Sequence, residues 1–274
     1  MMTALITHTK IRLAAVDLDG TLLGPDTMIS PDNRAAIARL HAAGIEVVLA
    51  SGRHYESMIP YAERLPEVRW IVSSQGAEVA TVDRSQVLGS RYLSESTVRS
   101  LVGAEVSRGL SPVYYSEAGV FTTAEPNVDL DFYAELSGRK PVLTARDDVS
   151  KMRLQKVLWV GGSQPITALR QDQSFADLGL QRVQTNERFF EFMPMETTKA
   201  AALQNLTDHL GLTAENVVAF GDGENDIPMF EWAGLSFAMS HGWKNALAKA
   251  KWVTPDGPEE NAFARGVDQL MTMG

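Results

Sequence analysis

Hydrophobic positions along the chain fall into three regimes. In the first, short apolar runs alternate with helical patterns. Residues 12–16 and 45–50 read as buried strands, and a third lies near 70–73. Ser30-Pro31-Asp32 supplies an N-cap with proline at the first helical position, and the helix through Ala35, Ala36, Ile37, Leu40 and Ala43 stops at Gly44. Another helix runs through Met58, Ile59 and Ala62. Strand and helix in alternation predict a parallel, doubly wound sheet.

The middle has a different rhythm. From about residue 78 to 192, alternating stretches at 78–82, 112–115, 119–122 and 153–160 are interleaved with helical patterns near 97–107, 128–136 and 165–177. This mix predicts an antiparallel sheet with helices on one face. The last third returns to the first style. An amphipathic helix over 198–210 closes at Gly211, and a buried strand over 216–220 ends at Gly221-Asp222. A helix over 227–233, a strand over 235–239 and two terminal helices follow. The predicted fold is α/β: a doubly wound, Rossmann-like core of residues 1–83 and 189–274 interrupted by an inserted α+β domain of 84–188.

Composition acts mainly by exclusion. The 274 residues are 45% hydrophobic and 22% charged, an ordinary globular mixture. A formal net charge of -9 argues against a nucleic-acid partner, which needs a broad basic face. There is no cysteine, hence no disulfide, thiolate or Cys-based zinc chemistry. The first ten residues lack the apolar core of a secretory signal, and no apolar run approaches the ~18 residues of a membrane span. A soluble, cytoplasmic protein is the default expectation, with oligomeric state open.

The candidate chemistry sits where the strands end. Asp17 and Asp19 follow the first run, and a carboxylate such as Asp17 can attack phosphorus and split a hydrolysis into two steps. Asp19, returned by the bend at Gly20, can act as general acid and then base. Read alone, the pair also fits two solvated turn aspartates. Ser51 offers a hydroxyl, Gly52 lets backbone N–H groups approach an anion, and Arg53 opens the next helix; alone, Ser51 also fits a helix cap. Lys199, at the start of the 198–210 helix, can neutralise a phosphoryl group, or be a solvated helix-face lysine. Asp222, Asn225 and Asp226 crowd one loop whose hard oxygens suit Mg²⁺. An EF-hand reading fails, because Ile227 and Ala233 stand where Gly and Glu are required. There is no H-E-x-x-H, P-loop or serine nucleophile elbow. Three of the four segments fall at carboxyl ends of parallel strands, which a doubly wound sheet brings to one rim.

With DLDGT at 17–21, SGR at 51–53, Lys199 and GDGENDIPM at 221–229, the chain resembles the haloacid dehalogenase superfamily, and within it the Cof-like phosphatases with a large α/β cap. The resemblance implies that Asp17 is nucleophile and metal ligand, and that Asp19 is acid/base and binds the metal through its carbonyl. It also implies that Ser51, with Gly52, and Lys199 hold the phosphoryl group, that Asp222 ligates Mg²⁺, and that Asn225 and Asp226 orient phosphate and metal. Dehalogenases and ion-pumping ATPases with this core lack an Asp at the place of Asp19, so phosphate-ester chemistry is expected. The implied substrate is a small-molecule phosphate ester, such as a sugar phosphate, pyridoxal phosphate or flavin mononucleotide. A phosphomutase, or a non-enzymatic phospho-receiver, are the alternatives. Gln75, Glu196, Ser240-His241 and Asn261 depart from the subfamily's habit of Asn, Gly, Asn-Ala and Gly. His54 reads as a helix-face residue or a substrate contact. Tyr114, Tyr115 and Trp159 read as core aromatics or as a pocket lining.

Overall fold

A computed structural model of the protein describes residues 10–273. The chain opens with β1 (Leu13–Val16), α1 (Pro31–Ala42), β2 (Glu46–Ala50), α2 (Tyr55–Ala62), β3 (Val68–Ser73), β4 (Glu78–Thr81) and β5 (Val87–Ser90). It continues with α3 (Glu95–Leu101), β6 (Ser111–Ser116), β7 (Gly119–Thr122), α4 (Val128–Ser137), β8 (Val142–Leu143), α5 (Arg146–Val149), β9 (Leu154–Val160), α6 (Ser163–Ala168), β10 (Leu180–Asn186) and β11 (Phe189–Pro194). It closes with α7 (Lys199–Leu210), β12 (Val217–Gly221), α8 (Ile227–Trp232), β13 (Leu235–Ala238), α9 (Lys244–Lys249), β14 (Trp252–Val253) and α10 (Ala262–Thr272).

One sheet has the order β14-β13-β12-β1-β2-β3-β4-β5. Neighbours from β14 to β3 are parallel, and β4 and β5 add an antiparallel hairpin. The α/β, doubly wound expectation is met. Strand β1 is central and wholly buried. Ala14 and Val16 pack with Ile37, Leu40 and Phe263 on one face, and Leu13 and Ala15 with Leu203, Leu206 and Phe230 on the other. Burial on both faces is why the run has no polar alternation. The chain winds outward through β2 and β3 on one side and through β12 to β14 on the other. The order therefore reverses between β1 and β12, opening a crevice at their carboxyl ends.

The inserted segment forms a second sheet, β10-β11-β9-β6-β7-β8, antiparallel except for the β7–β8 pair. The expectation of helices on one face is corrected. Leu101 of α3 and Ile166 of α6 cover the face of Tyr114 and Trp159. Leu130 and Tyr133 of α4 cover only part of the face of Tyr115 and Leu158. What remains of that second face looks toward the first sheet.

Strand pairing also moves the divisions expected at 83/84 and 188/189. Val87–Ser90 pairs with the eight-stranded sheet and Phe189–Pro194 with the six-stranded one, because each belongs to a hairpin begun on that sheet. The single helix expected over 97–107 ends at Leu101, before Gly103 at φ +93°, and resumes only as a short turn at Val106–Arg108. The one over 165–177 splits into α6 and a 3₁₀ stretch at Gln173–Leu178, begun where Asp172 accepts from the Ser174 N–H. No described helix is long and apolar enough to cross a membrane.

Candidate active site

Each expected segment reaches the crevice for a local reason. Asp17, Ser51 and Asp222 are the first residues beyond β1, β2 and β12. Thr198 caps α7 by accepting from the Ala201 N–H at 3.1 Å, which fixes Lys199 in the first turn. Lys199 is completely buried. Its Nζ donates to Asp17 Oδ1 at 2.5 Å and to Asp226 Oδ1 at 2.6 Å. Asp226 Oδ2 accepts from the backbone N–H groups of Asp222 (2.9 Å) and Gly223 (3.0 Å). Oxygens of Asp17, Asp222 and Asp226 lie within 4.8 Å of one another. The loop closes tightly enough that a Cβ on Gly20, at φ +74°, would come 2.5 Å from Asp222 Oδ2.

Charge does not balance within this cluster: three carboxylates face one ammonium. Burial, offset only in part by Lys199, pushes the Asp17 carboxyl well above the usual carboxylate range. Burial, followed by the charge of Asp226, pushes Asp222 up to about 7. A cation would relieve both. The donor set fits a hard divalent ion. Among the described residues Asp17 spends one oxygen on Lys199, and Asp222 accepts only a 3.4 Å bond from Thr21. Asp226 instead has both oxygens engaged.

Asp19 is placed apart from the three. Its side chain is 53% exposed and is gripped bidentately by Arg53, from Nε at 2.9 Å and Nη2 at 2.6 Å. Arg53 itself is buried, its guanidinium 5.3 Å from the Tyr61 ring centroid. The expectation that Arg53 opens a helix is corrected: α2 begins at Tyr55 and His54 is its N-cap. His54 Nδ1 accepts from the Glu56 N–H, so Nε2 carries the proton it donates to the Ser116 carbonyl of the second sheet at 2.8 Å. Ser51 is no helix cap either. Its Oγ accepts from the Arg53 N–H at 3.2 Å. Asn225 Nδ2 donates to Gln75 Oε1 at 3.2 Å. Gln75 and Glu196 stand at φ +61° and +60°, a region that Asn and Gly enter more readily.

A cavity of about 320 Å³ lies between the sheets. Asp17, Asp19, Ser51, Gly52, Asp222 and Asn225 line it from the core side. From the inserted side come Tyr115, Tyr133, Leu158 and Phe189, with Lys156 and Glu191, and Trp243 stands beside them. Of the three aromatics weighed from sequence, Tyr115 lines the cavity, while Tyr114 and Trp159 point into the opposite core. Lys156, Glu191 and Gln75 carry no sequence signal as cavity residues; period two from Leu158 places Lys156 on this face, and Glu191 joins it only through its pairing with Leu158.

Gly76, at φ +100°, packs against the Thr198 carbonyl that starts α7, and a Cβ there would overlap it. Gly76→Ala is therefore expected to destabilise the fold by about 1–3 kcal/mol. Denaturant unfolding checks this; an unchanged midpoint would show that the loop relaxes freely.

Comparison with known proteins agrees with this geometry. The profile of the haloacid dehalogenase-like hydrolases matches residues 14–266. An HMP-PP phosphatase of Escherichia coli is 30% identical over 244 residues, covering 87% of each chain. A haloacid dehalogenase-like hydrolase from Bacteroides thetaiotaomicron superposes with TM-score 0.84 at 26% identity, over 95% of this chain and all of that one. The sugar phosphatase BT4131 of haloacid dehalogenase subclass IIB shares the fold, with TM-score 0.83 at 18% identity over 96% of this chain and 100% of its own. With its profile matched over nearly the whole length, and the strand-end carboxylates assembled around Lys199, the chain belongs to the haloacid dehalogenase-like hydrolases.

Proposed function

We propose that the protein is a Mg²⁺-dependent phosphatase that hydrolyses small-molecule phosphate monoesters through an aspartyl-phosphate on Asp17. The observation that carries this reading is the buried Asp17–Lys199–Asp226 array, with Asp222 beside it, of which Asp17 and Asp222 line the cavity beneath the inserted sheet. Asp17 has an oxygen to spare for attack on phosphorus. As the Asp17 O–P bond forms and the ester P–O bond breaks, Asp19 gives its proton to the leaving oxygen, and later takes one from the attacking water. Arg53 grips both Asp19 oxygens, so one must turn from the guanidinium toward the leaving group. Lys199 has a third N–H for a phosphoryl oxygen, Ser51 an uncommitted hydroxyl proton, Gly52 a place on the cavity lining, and Asn225 a second amide N–H. Asp17 and Asp222 would hold Mg²⁺, with Asp226 supporting them; when bound, the ion supplies positive charge against the phosphoryl oxygens. The inserted sheet acts as a cap that excludes water. The relatives named for sugar and HMP-PP phosphatase activity support a soluble metabolite as substrate.

The test is phosphate release across a panel of metabolite phosphates with Mg²⁺. Free phosphate is the expected product; an isomerised ester would instead indicate a mutase, and no turnover of any ester would reject both. Chelation is expected to stop the reaction.

Chelation also has a thermal signature. With raised native pKa values, Asp17 and Asp222 stabilise the ion-free protein fully below the ordinary carboxylate pKa near 4. That contribution disappears as pH climbs through about 7 for Asp222. Chelated protein is expected to lose Tm between about pH 5 and about pH 8, and added Mg²⁺, which favours the ionised form, to raise Tm more at the higher pH. Equal shifts at both would contradict this placement of the ion.

A further inference from the structure

We infer that Lys156, carried by the inserted sheet, is a positioning residue for Ser51, so that the phosphate-binding hydroxyl is oriented only when the cap rests on the core. The inference rests on the phosphatase reading and deepens it.

Lys156 lies on β9, 1% exposed, with its ammonium at the cavity wall. Two of its three donors have fixed partners: Nζ donates to the Gly52 carbonyl at 2.6 Å and to Glu191 Oε1 at 2.9 Å. The Tyr115 ring, from the residue paired with Lys156 on β6, meets Nζ 4.4 Å from its centroid and takes the remaining side. Glu191 comes from β11 on the other flank of β9. The ammonium is thus held by its own sheet from both sides and reaches the core through one bond. With its hydrogen-bonding capacity spent, it is not a phosphate ligand in the manner of Lys199.

The bond to Gly52 is consequential because of the peptide it grips. In a trans peptide the carbonyl and the following N–H point in opposite directions on one rigid plane, and no described peptide is cis. The N–H opposite the Gly52 carbonyl is that of Arg53, which donates to Ser51 Oγ. Lys156 and Ser51 therefore hold two ends of a single plate. A hydroxyl that accepts there keeps its one proton for another acceptor, and among the described residues Ser51 Oγ–H has none. It lines the same cavity as Asp17 and Asp222. The strand is pinned at the adjacent residue too: Gln155 Nε2 donates at 2.8 Å to Glu78 Oε2, a buried carboxylate on β4 of the core.

A double-mutant cycle tests this, using p-nitrophenyl phosphate with Mg²⁺ and purified full-length protein. Ser51→Ala is expected to lower kcat/KM by about 10²-fold and Lys156→Met by about tenfold. The double variant is expected to match Ser51→Ala alone, because once the hydroxyl is gone its orientation no longer matters. Lys156→Gln, which keeps a donor for Gly52, is expected to recover much of the loss. Glu191→Gln loosens the ammonium without removing it, and carries the same cycle if Lys156→Met does not fold. Effects that multiply in the double variant, or a Lys156→Gln as impaired as Lys156→Met, overturn the positioning role while leaving the phosphatase reading intact. A wild-type protein inactive on every ester overturns the phosphatase reading instead.

Discussion

Asp17→Asn is expected to cut turnover of an aryl phosphate by at least about 10³-fold while leaving the folded protein as stable as the wild type or more so. The two effects have one origin. The amide keeps the size of the carboxylate and an acceptor for Lys199, so the 2.5 Å contact to Oδ1 has a successor. It removes one carboxylate from a cluster of three that faces a single ammonium. What it cannot do is attack phosphorus. Steady-state kinetics alongside a thermal melt separates loss of the nucleophile from loss of the fold. Activity retained in a well-folded variant would remove Asp17 from that role.

Lys199→Met is expected to fail on both counts. Methionine fills much the same space, yet it leaves Asp17 and Asp226 buried and facing one another without a counter-charge. Breaking a buried pair from one side costs about 3–5 kcal/mol, and Lys199 is the partner of two carboxylates. The deficit has a direction in pH. Carboxyl groups left in this position take up protons to escape their charge, so the variant should recover stability as the solution is acidified and lose it as pH rises. Urea unfolding at two pH values reads this directly. A variant as stable as wild type at neutral pH would mean that the array contributes nothing to holding α7 against β1.

Much of this architecture was legible along the chain. Central parallel strands are covered on both faces, so β1 and β12 read as unbroken apolar runs and β2 as one after Glu46, and each is followed by a residue of the crevice. Thr198 and Gly211 bracket α7 with recognisable caps. Other elements lack such marks. Strand β10 reads Leu-Gln-Arg-Val-Gln-Thr-Asn, half-exposed on the margin of its sheet, and carries too few apolar residues to announce itself. Strands β8 and β14 have two exposed residues each and exist only through a neighbour. The ends of the insertion are hidden for a different reason: β5 and β11 are each a hairpin's second strand, which follows its partner rather than its own composition.

Within the site, legibility followed position. Asp17, Ser51, Lys199 and Asp222 sit at strand or helix ends, where a polar residue stands out. Lys156 and Glu191 sit inside strands, where a charge ordinarily marks a solvated face. Only the stacking of one sheet over another turns that face inward. The grip of Arg53 on Asp19 was hidden for a related reason: the two are separated by 34 positions, and only the adjacency of β1 and β2 brings them together.

The pairing of β1 with β12 has a consequence for how the molecule comes into being. Leu13 aligns with Val217 and Val16 with Phe220, so β1 must wait some two hundred residues for its second neighbour. Until then one flank of its backbone goes unmatched, and Asp17 has neither Lys199 nor Asp222 beside it. The inserted sheet, built from a continuous stretch, has every strand partner to hand before β12 is made. The array around Asp17 therefore cannot assemble until α7 and β12 have both been made.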